Sequence, residues 1–356
     1  MINATNETIK KLLSGPIFFK KNRVGRVYTG GALFADFFGD DSTDGYLPEE
    51  WVVSTVSALN KGSTIYKEGV SVIADTDIFF DEFVNEYKKE MLGDRDEFGV
   101  LTKFLDSAIR LPVQAHPDKA FSRVHFNSNY GKAESWLVLG TRPDACLYFG
   151  FKNKITKEEF SKAVEESETN PDAMEKLLNR VPVKTGDVYF VPAKMVHAIG
   201  KGCLILEIQE PSDFTIQPEY YCGEYRLSEE EMYIGLDKDT ALDVFDYDVY
   251  GQDAINLGKK EPTTVFKSNS IHEESLITYD DTPCFAVTRY TIKNAQLELK
   301  HSPAVYVVTN GTGHVNGHIR LKKGDYFFLP YSAEKTSVET QSPEGLEIIA
   351  CLPPKK

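Results

Sequence analysis

Gly186-Asp187-Val188-Tyr189-Phe190-Val191-Pro192 returns towards the C-terminus as Gly324-Asp325-Tyr326-Phe327-Phe328-Leu329-Pro330. In both copies Gly-Asp suits a tight turn, an aromatic-rich strand follows, and Pro ends the strand where no ladder donor is needed. A repeated turn, strand and stop predicts two copies of one β-barrel. Eleven residues beyond its glycine the first copy carries His197, whereas the second carries Lys335. Only the first barrel is therefore expected to keep that ligand, with the second as a structural or substrate-covering partner.

The rest of the chain agrees with a mainly β fold. Short β-rich pieces alternate with turns from Ile17-Phe18-Phe19 through Gly30-Gly31 to Trp51-Val52-Val53-Ser54-Thr55-Val56. Ile78, Phe79, Phe83, Tyr87 and Met91 approximate one helical face and predict a helix over 76–92. Strand character returns at Leu101 to Gln114 and at Ser135 to Gly150. A helical insertion is expected near 152–180, where Thr156 and Glu159 form a capping box and Asn170-Pro171 opens a second helix. From Val181 onward the pattern is mostly short strands and turns. The expected architecture is two jelly-roll barrels, residues 1–235 with the insertion and residues 236–356 without metal ligands.

Composition narrows the function classes. With 356 residues the chain exceeds what one core usually serves, and 41% hydrophobic with 26% charged residues is ordinary for a globular protein. A net charge of -14 argues against a broad nucleic-acid footprint but leaves room for a small anionic substrate. The longest apolar runs fall far short of a membrane span, and Leu12-Leu13 breaks at Ser14-Gly15-Pro16 rather than extending as a signal peptide. Five cysteines, odd in number and without a CxxC pair, read as reduced thiols of a cytoplasmic protein. The oligomeric state is left open, a monomer included.

The chemistry concentrates in four side chains. Gln114 and His116 lie two apart at a strand end and so share a face, Glu134 opens the next strand beyond a polar loop, and His197 ends the strand begun at Val188. Four N/O donors from three strands suit a divalent ion: zinc, with iron, cobalt or manganese tolerated. Taken singly, each has an ordinary reading as a satisfied core or turn residue. The joint pattern, with His197 attached to the Gly-x5-Pro-x4-His string, is what points to a metal. His125, His272, His301, His314 and His318 have no ligand-like spacing.

Three strings, Val113-Gln114-Ala115-His116-Pro117-Asp118-Lys119-Ala120-Phe121, Gly131-Lys132-Ala133-Glu134-Ser135-Trp136 and Phe190 through Gly200, resemble successive signatures of the type I mannose-6-phosphate isomerases of the cupin superfamily. Leu206 through Asp213 continues the likeness, and Glu50-Trp51 followed by Ser54 does so more weakly; together it covers roughly 16 to 217. The resemblance implies cupin barrels, one zinc ion on Gln114, His116, Glu134 and His197, and active-site roles for Lys132, Glu207 and Asp213. It also implies a sugar-phosphate substrate, mannose 6-phosphate, converted to fructose 6-phosphate through a cis-enediol.

Two positions depart from the family pattern. Gln217 stands where the family carries an Arg beyond the Ser-Asp string, and an amide cannot supply a permanent charge to a developing oxyanion. Pro112 stands where a Ser commonly helps hold the phosphate. Arg110 and Arg226 are the nearby cations that could compensate. These departures keep two alternatives in view, an isomerase or epimerase of an unphosphorylated or other sugar, and a sugar-binding protein without turnover. An iron-dependent oxygenase fits the Gln114 donor less well.

Overall fold

The computed structural model describes residues 2 and 4–356. Two large antiparallel sheets dominate it. The first has seven strands in the order Lys259–Lys260, Val188–Val191, Glu134–Thr141, Cys203–Gln209, Leu101–Asp106, Glu49–Val52 and Arg23–Val24. The second, of ten strands, is centred on Ala304–Val315, flanked by Tyr326–Leu329 and Leu346–Leu352. A smaller three-stranded sheet of Leu178–Pro182, Cys146–Phe151 and His197–Ile199 shares a core with one face of the first.

Strand alternation assigns side chains to different cores. Val188 and Phe190 face a core shared with Val305, Val307, Phe328 and Ile349 of the second sheet. Tyr189 and Val191 face a separate core with Leu147, Phe149, Ile199 and Ile205. The second sheet divides the same way: Tyr326 and Phe328 turn towards the shared core, Phe327 and Leu329 away from it. Burial on both faces is why these strands read as unbroken apolar runs.

The repeated string is also a repeated structure. Gly186 and Gly324 have φ of 94° and 92°, a left-handed conformation that glycine adopts without steric cost. Asp187 and Asp325 each accept the backbone N–H three residues earlier, from Lys184 (3.0 Å) and Lys322 (2.8 Å). Val138 N–H donates to Asp187 O (3.0 Å), and Val308 N–H to Asp325 O (2.8 Å). Carried along the register, Glu134 opposite Val191 corresponds to Ala304 opposite Leu329. The second sheet thus has a methyl group where the first has a carboxylate, and Lys335 pairs with Glu298 at the surface.

Helical expectations fared unevenly. The predicted helix over 76–92 is two short helices, Phe80–Glu86 and Lys88–Leu92, separated at Tyr87. The capping box at Thr156 starts helix Lys157–Glu166 as expected, with bonds of 3.2 and 2.9 Å. The second helix at Asn170-Pro171 does not form; only a 3-10 turn, Glu175–Leu177, precedes strand Leu178–Pro182. Pairing of that strand with Cys146–Phe151 overrides the local signal.

Residues beyond Val181 include three helices where strands and turns were expected: Glu229–Tyr233, Lys238–Leu242 and Gly251–Gly258. Their apolar residues Met232, Tyr233, Leu242 and Ala254 fill the core that also holds Tyr189 and Val191. At the other end of the chain, Ile17–Phe18 pairs with Tyr326–Leu329 of the second sheet. All five cysteines are buried and free. Among the described residues no helix is long and apolar enough to cross a membrane.

Candidate metal centre and cavity

Gln114 exchanges backbone hydrogen bonds with His197, both 2.9 Å, and Ala115 does so with Ile216. This short bridge places Gln114 and His116 on one side and buries Ala115 on the other. Glu134 begins its strand between Val191 and Gln209. The turn before His197 is pinned by Lys194 N–H donating to His116 O (2.8 Å).

These elements bring His116, Glu134 and His197 into one buried cluster whose ligating atoms lie within 4.8 Å of one another. Each imidazole Nε2 is 3.3 Å from a Glu134 oxygen. His116 Nδ1 donates to Phe214 O and His197 Nδ1 to Met195 O, each at 2.9 Å, so the tautomers leave both Nε2 lone pairs facing inward. Gln114 Nε2 is 3.4 Å from His197 Nε2, and a flip of the amide presents its oxygen instead.

The donor set fits a divalent cation. Both Glu134 oxygens are buried and accept no hydrogen bond of proper geometry. Positive charge is already drawn there: Lys132 Nζ lies 2.9 Å from His116 Nε2 and 3.0 Å from Glu134 Oε2. Burial, opposed by Glu134, holds His197 down to about 3 and lowers His116, which keeps both imidazoles neutral and ready to ligate. Burial alone would raise Glu134, but the Lys132 ammonium beside it takes it well below the usual carboxylate range.

A cavity of about 450 Å³ opens beside the cluster and is lined by Gln114, Lys132, Glu207, Asp213, Gln217 and Pro112, among others. Glu207 sits opposite both Trp136 and Lys103 in the sheet. Its Oε2 accepts Trp136 Nε1–H (3.0 Å) while Oε1 is buried without a hydrogen bond. Burial and the Glu134 charge push Glu207 up to about 7, with Lys132 and Lys103 opposing. Asp213 differs: Arg26 Nη2 reaches its oxygens at 3.0 and 3.1 Å and Leu59 N–H at 2.9 Å. Burial raises its pKa, but Arg26 and Lys103 prevail and lower it.

The same wall contains residues the sequence pattern did not single out: Arg26, Tyr28, Glu49, Asn60 and Lys103. Glu49 accepts Arg26 Nε–H (3.0 Å), Tyr28 OH (2.8 Å) and Trp51 Nε1–H (2.6 Å). Lys103 is buried within 3.9 Å of Glu49, Glu207 and Asp213. A signal for Lys103 existed, since it is the one basic residue in the otherwise buried strand Leu101–Asp106. Glu50, noted for its place before Trp51, points to the opposite face and accepts Tyr326 OH (2.6 Å).

Gln217 lines the cavity, but its side chain donates to Glu231 O (2.9 Å). The two arginines considered as substitutes for a guanidinium at 217 stand elsewhere. Arg110 binds Glu219 (2.7 and 3.1 Å) and Glu175 (3.1 Å), while the exposed Arg226 pairs with Glu168. Neither is among the cavity-lining residues.

Fold and site together define a β-sheet protein with a preformed, buried His-Glu-His centre able to hold a divalent cation beside a sugar-sized polar cavity. No family model matches the chain. It is 29% identical over 343 residues to the mannose-6-phosphate isomerase ManA of Bacillus subtilis, covering 91% of this chain and 96% of that one. The mannose-6-phosphate isomerase of Streptococcus mutans is likewise 29% identical, over 95% and 98% of the two chains. The crystal structure of the Bacillus subtilis mannose 6-phosphate isomerase superposes with a TM-score of 0.74 at 24% identity, covering 95% of this chain and 99% of that one. Along nearly its whole length the chain is thus similar to mannose-6-phosphate isomerases.

Proposed function

We propose that the chain interconverts mannose 6-phosphate and fructose 6-phosphate with one zinc ion held by Gln114, His116, Glu134 and His197. The observation that carries this reading is a cavity lined by Gln114, Lys132 and the carboxylate Glu207, next to the buried His116, Glu134 and His197 cluster, in a chain similar along its length to such isomerases. The bound ion would act as a Lewis acid towards the sugar oxygens.

The chain's own residues supply the rest. Glu207 is the acid/base that moves the proton between C1 and C2, because its Oε1 accepts no hydrogen bond, lies in the cavity wall, and belongs to a carboxyl whose burial raises its pKa. Lys132 is the ammonium beside the ligands; burial works against its charge, and Glu134, Glu207 and Asp213 together raise its pKa. Asp213, held ionised by Arg26, fixes the guanidinium and the loop at Leu59 and acts by positioning. Gln217 is left as a hydrogen-bonding wall residue. The two sheets are read as jelly-roll barrels of the cupin type, with catalysis in the first; the boundary expected at 235 and 236 is placed after Lys260, whose strand belongs to the first sheet.

Fructose 6-phosphate formation by purified protein of known zinc content, with and without a chelator, tests the reading. No turnover by fully loaded protein would end it. Pro112 and Gln217 favour one competing substrate, an unphosphorylated sugar, which the same assay run on free mannose addresses.

A further inference from the structure

We propose that Lys61 recognises the phosphate of the substrate and so sets selectivity for a phosphorylated sugar, an assignment that rests on the isomerase reading above. Four cations line the cavity: Arg26, Lys61, Lys103 and Lys132. Three are committed to carboxylates. Arg26 holds Glu49 and Asp213, Lys103 lies within 3.9 Å of three carboxylates, and Lys132 contacts Glu134 at 3.0 Å. Lys61 is the exception among them. Its Nζ touches the Ser228 hydroxyl at 3.3 Å and forms no ion pair among the described residues.

The backbone that carries Lys61 is tied to the reaction site. Leu59 N–H donates to Asp213 Oδ2 (2.9 Å), and Asn60 Oδ1 accepts Arg26 Nη1–H (2.8 Å). Asn60 Nδ2 in turn donates to Gly25 O (3.0 Å). Lys61 is thus a flexible ammonium on a fixed base, long enough to reach Ser228, two residues before the lining residue Glu230. Phosphate needs such a group here because the nearby wall offers little else. Pro112 has no donor, the Gln217 amide is spent on Glu231 O, and Glu230 and Glu231 add negative charge. The Glu231 carboxylate is itself occupied by Tyr225 OH (2.6 Å) and the Ser228 hydroxyl (2.6 Å). A mobile lysine serves phosphate as a point charge, without needing bidentate geometry.

The test compares wild type, Lys61→Ala and Lys61→Arg as zinc-loaded full-length protein. Steady-state kinetics on mannose 6-phosphate and free mannose are joined to inhibition by inorganic phosphate and calorimetric binding of mannose 6-phosphate. In Lys61→Ala the KM for mannose 6-phosphate should rise about tenfold with kcat little altered, as expected for lost uniform binding. Inhibition by inorganic phosphate should weaken in step, and Lys61→Arg should recover most of both. Unchanged phosphate inhibition in Lys61→Ala overturns the assignment, as does an equal loss on both sugars, the mark of a structural role. Should wild type bind mannose 6-phosphate through Lys61 yet never turn it over, the isomerase reading falls and the assignment stands. Failure of wild type to bind either phosphate compound removes the assignment.

Discussion

Replacing Glu207 by Gln should cost activity and gain stability in the same variant. Glu207 is buried against Trp136 and Lys103, and burial together with the Glu134 charge raises its pKa from 4.5 to about 7. A carboxylate whose folded value is raised binds its proton more tightly folded than unfolded. Its penalty is therefore absent below about pH 4.5, accrues as pH rises, and is complete above about 7. At about 1.36 kcal/mol per pH unit, the rise from 4.5 to about 7 amounts to roughly 3 kcal/mol of destabilisation at alkaline pH. Gln keeps the acceptor for Trp136 Nε1–H and carries no charge, so most of that penalty disappears. Urea unfolding of the metal-stripped protein should show Glu207→Gln more stable than wild type at pH 8, with the difference fading towards pH 5. Turnover of the loaded variant should fall by about 10²–10⁴, the usual worth of a positioned acid/base. Wild-type kcat/KM should fall on the acid side, with its limb below 7 when the ion is bound, because a cation at Glu134 relieves the repulsion that raises Glu207. A variant that is less stable at pH 8, or that retains turnover, would refute the assignment of Glu207 as a buried carboxylate held near neutrality for proton transfer.

Chelation should abolish turnover, and re-addition of zinc should restore it; zinc at a hundredfold excess over its Kd should also stabilise the fold by about 2.7 kcal/mol, seen as a rise in Tm. Arg26→Met leaves the buried Glu49 and Asp213 with Lys103 as their remaining cation, at 3.9 and 3.8 Å. It should cost about 3 kcal/mol, at the lower end for breaking a buried pair, and lower kcat as well; urea midpoints and steady-state rates check both. Gln217→Arg gives up the bond to Glu231 O and sets a permanent charge in the cavity wall. Its kcat on mannose 6-phosphate should rise about tenfold, a gain of about 1.4 kcal/mol, and an unchanged rate at unchanged Tm would show that the guanidinium is not what limits this chain.

The meeting of Gln114, His116, Glu134 and His197 was legible because each carries a local signal. Gln114 and His116 share a face by strand parity, Glu134 opens a strand, and His197 follows a turn after a Gly-Asp string that recurs in the second sheet. The charged network around it was not, because no local pattern joins Arg26, Glu49, Asn60, Lys103 and Asp213. They meet through register: Lys103 lies opposite Trp51 on one side and Glu207 on the other, so the sheet, not the sequence spacing, makes them neighbours. Other misses had different causes. Ser228 with Glu231 does form a capping box, but the five-residue helix it starts is too short to show a period. Asn170-Pro171 has the marks of a helix start and yields to strand pairing. Val188 through Val191 is apolar throughout, so its alternation between two cores leaves no trace in hydropathy. The same register explains why charge survives inside so apolar a sheet. Glu49, Lys103, Glu207 and Glu134 lie on neighbouring strands, where each carboxylate has a cation within 4 Å. A one-residue slip of strand Leu101–Asp106 would turn Lys103 into the shared core and take from Glu207 its cation at 3.7 Å, so the pairing that folds the sheet also sets the charge around the proposed acid/base.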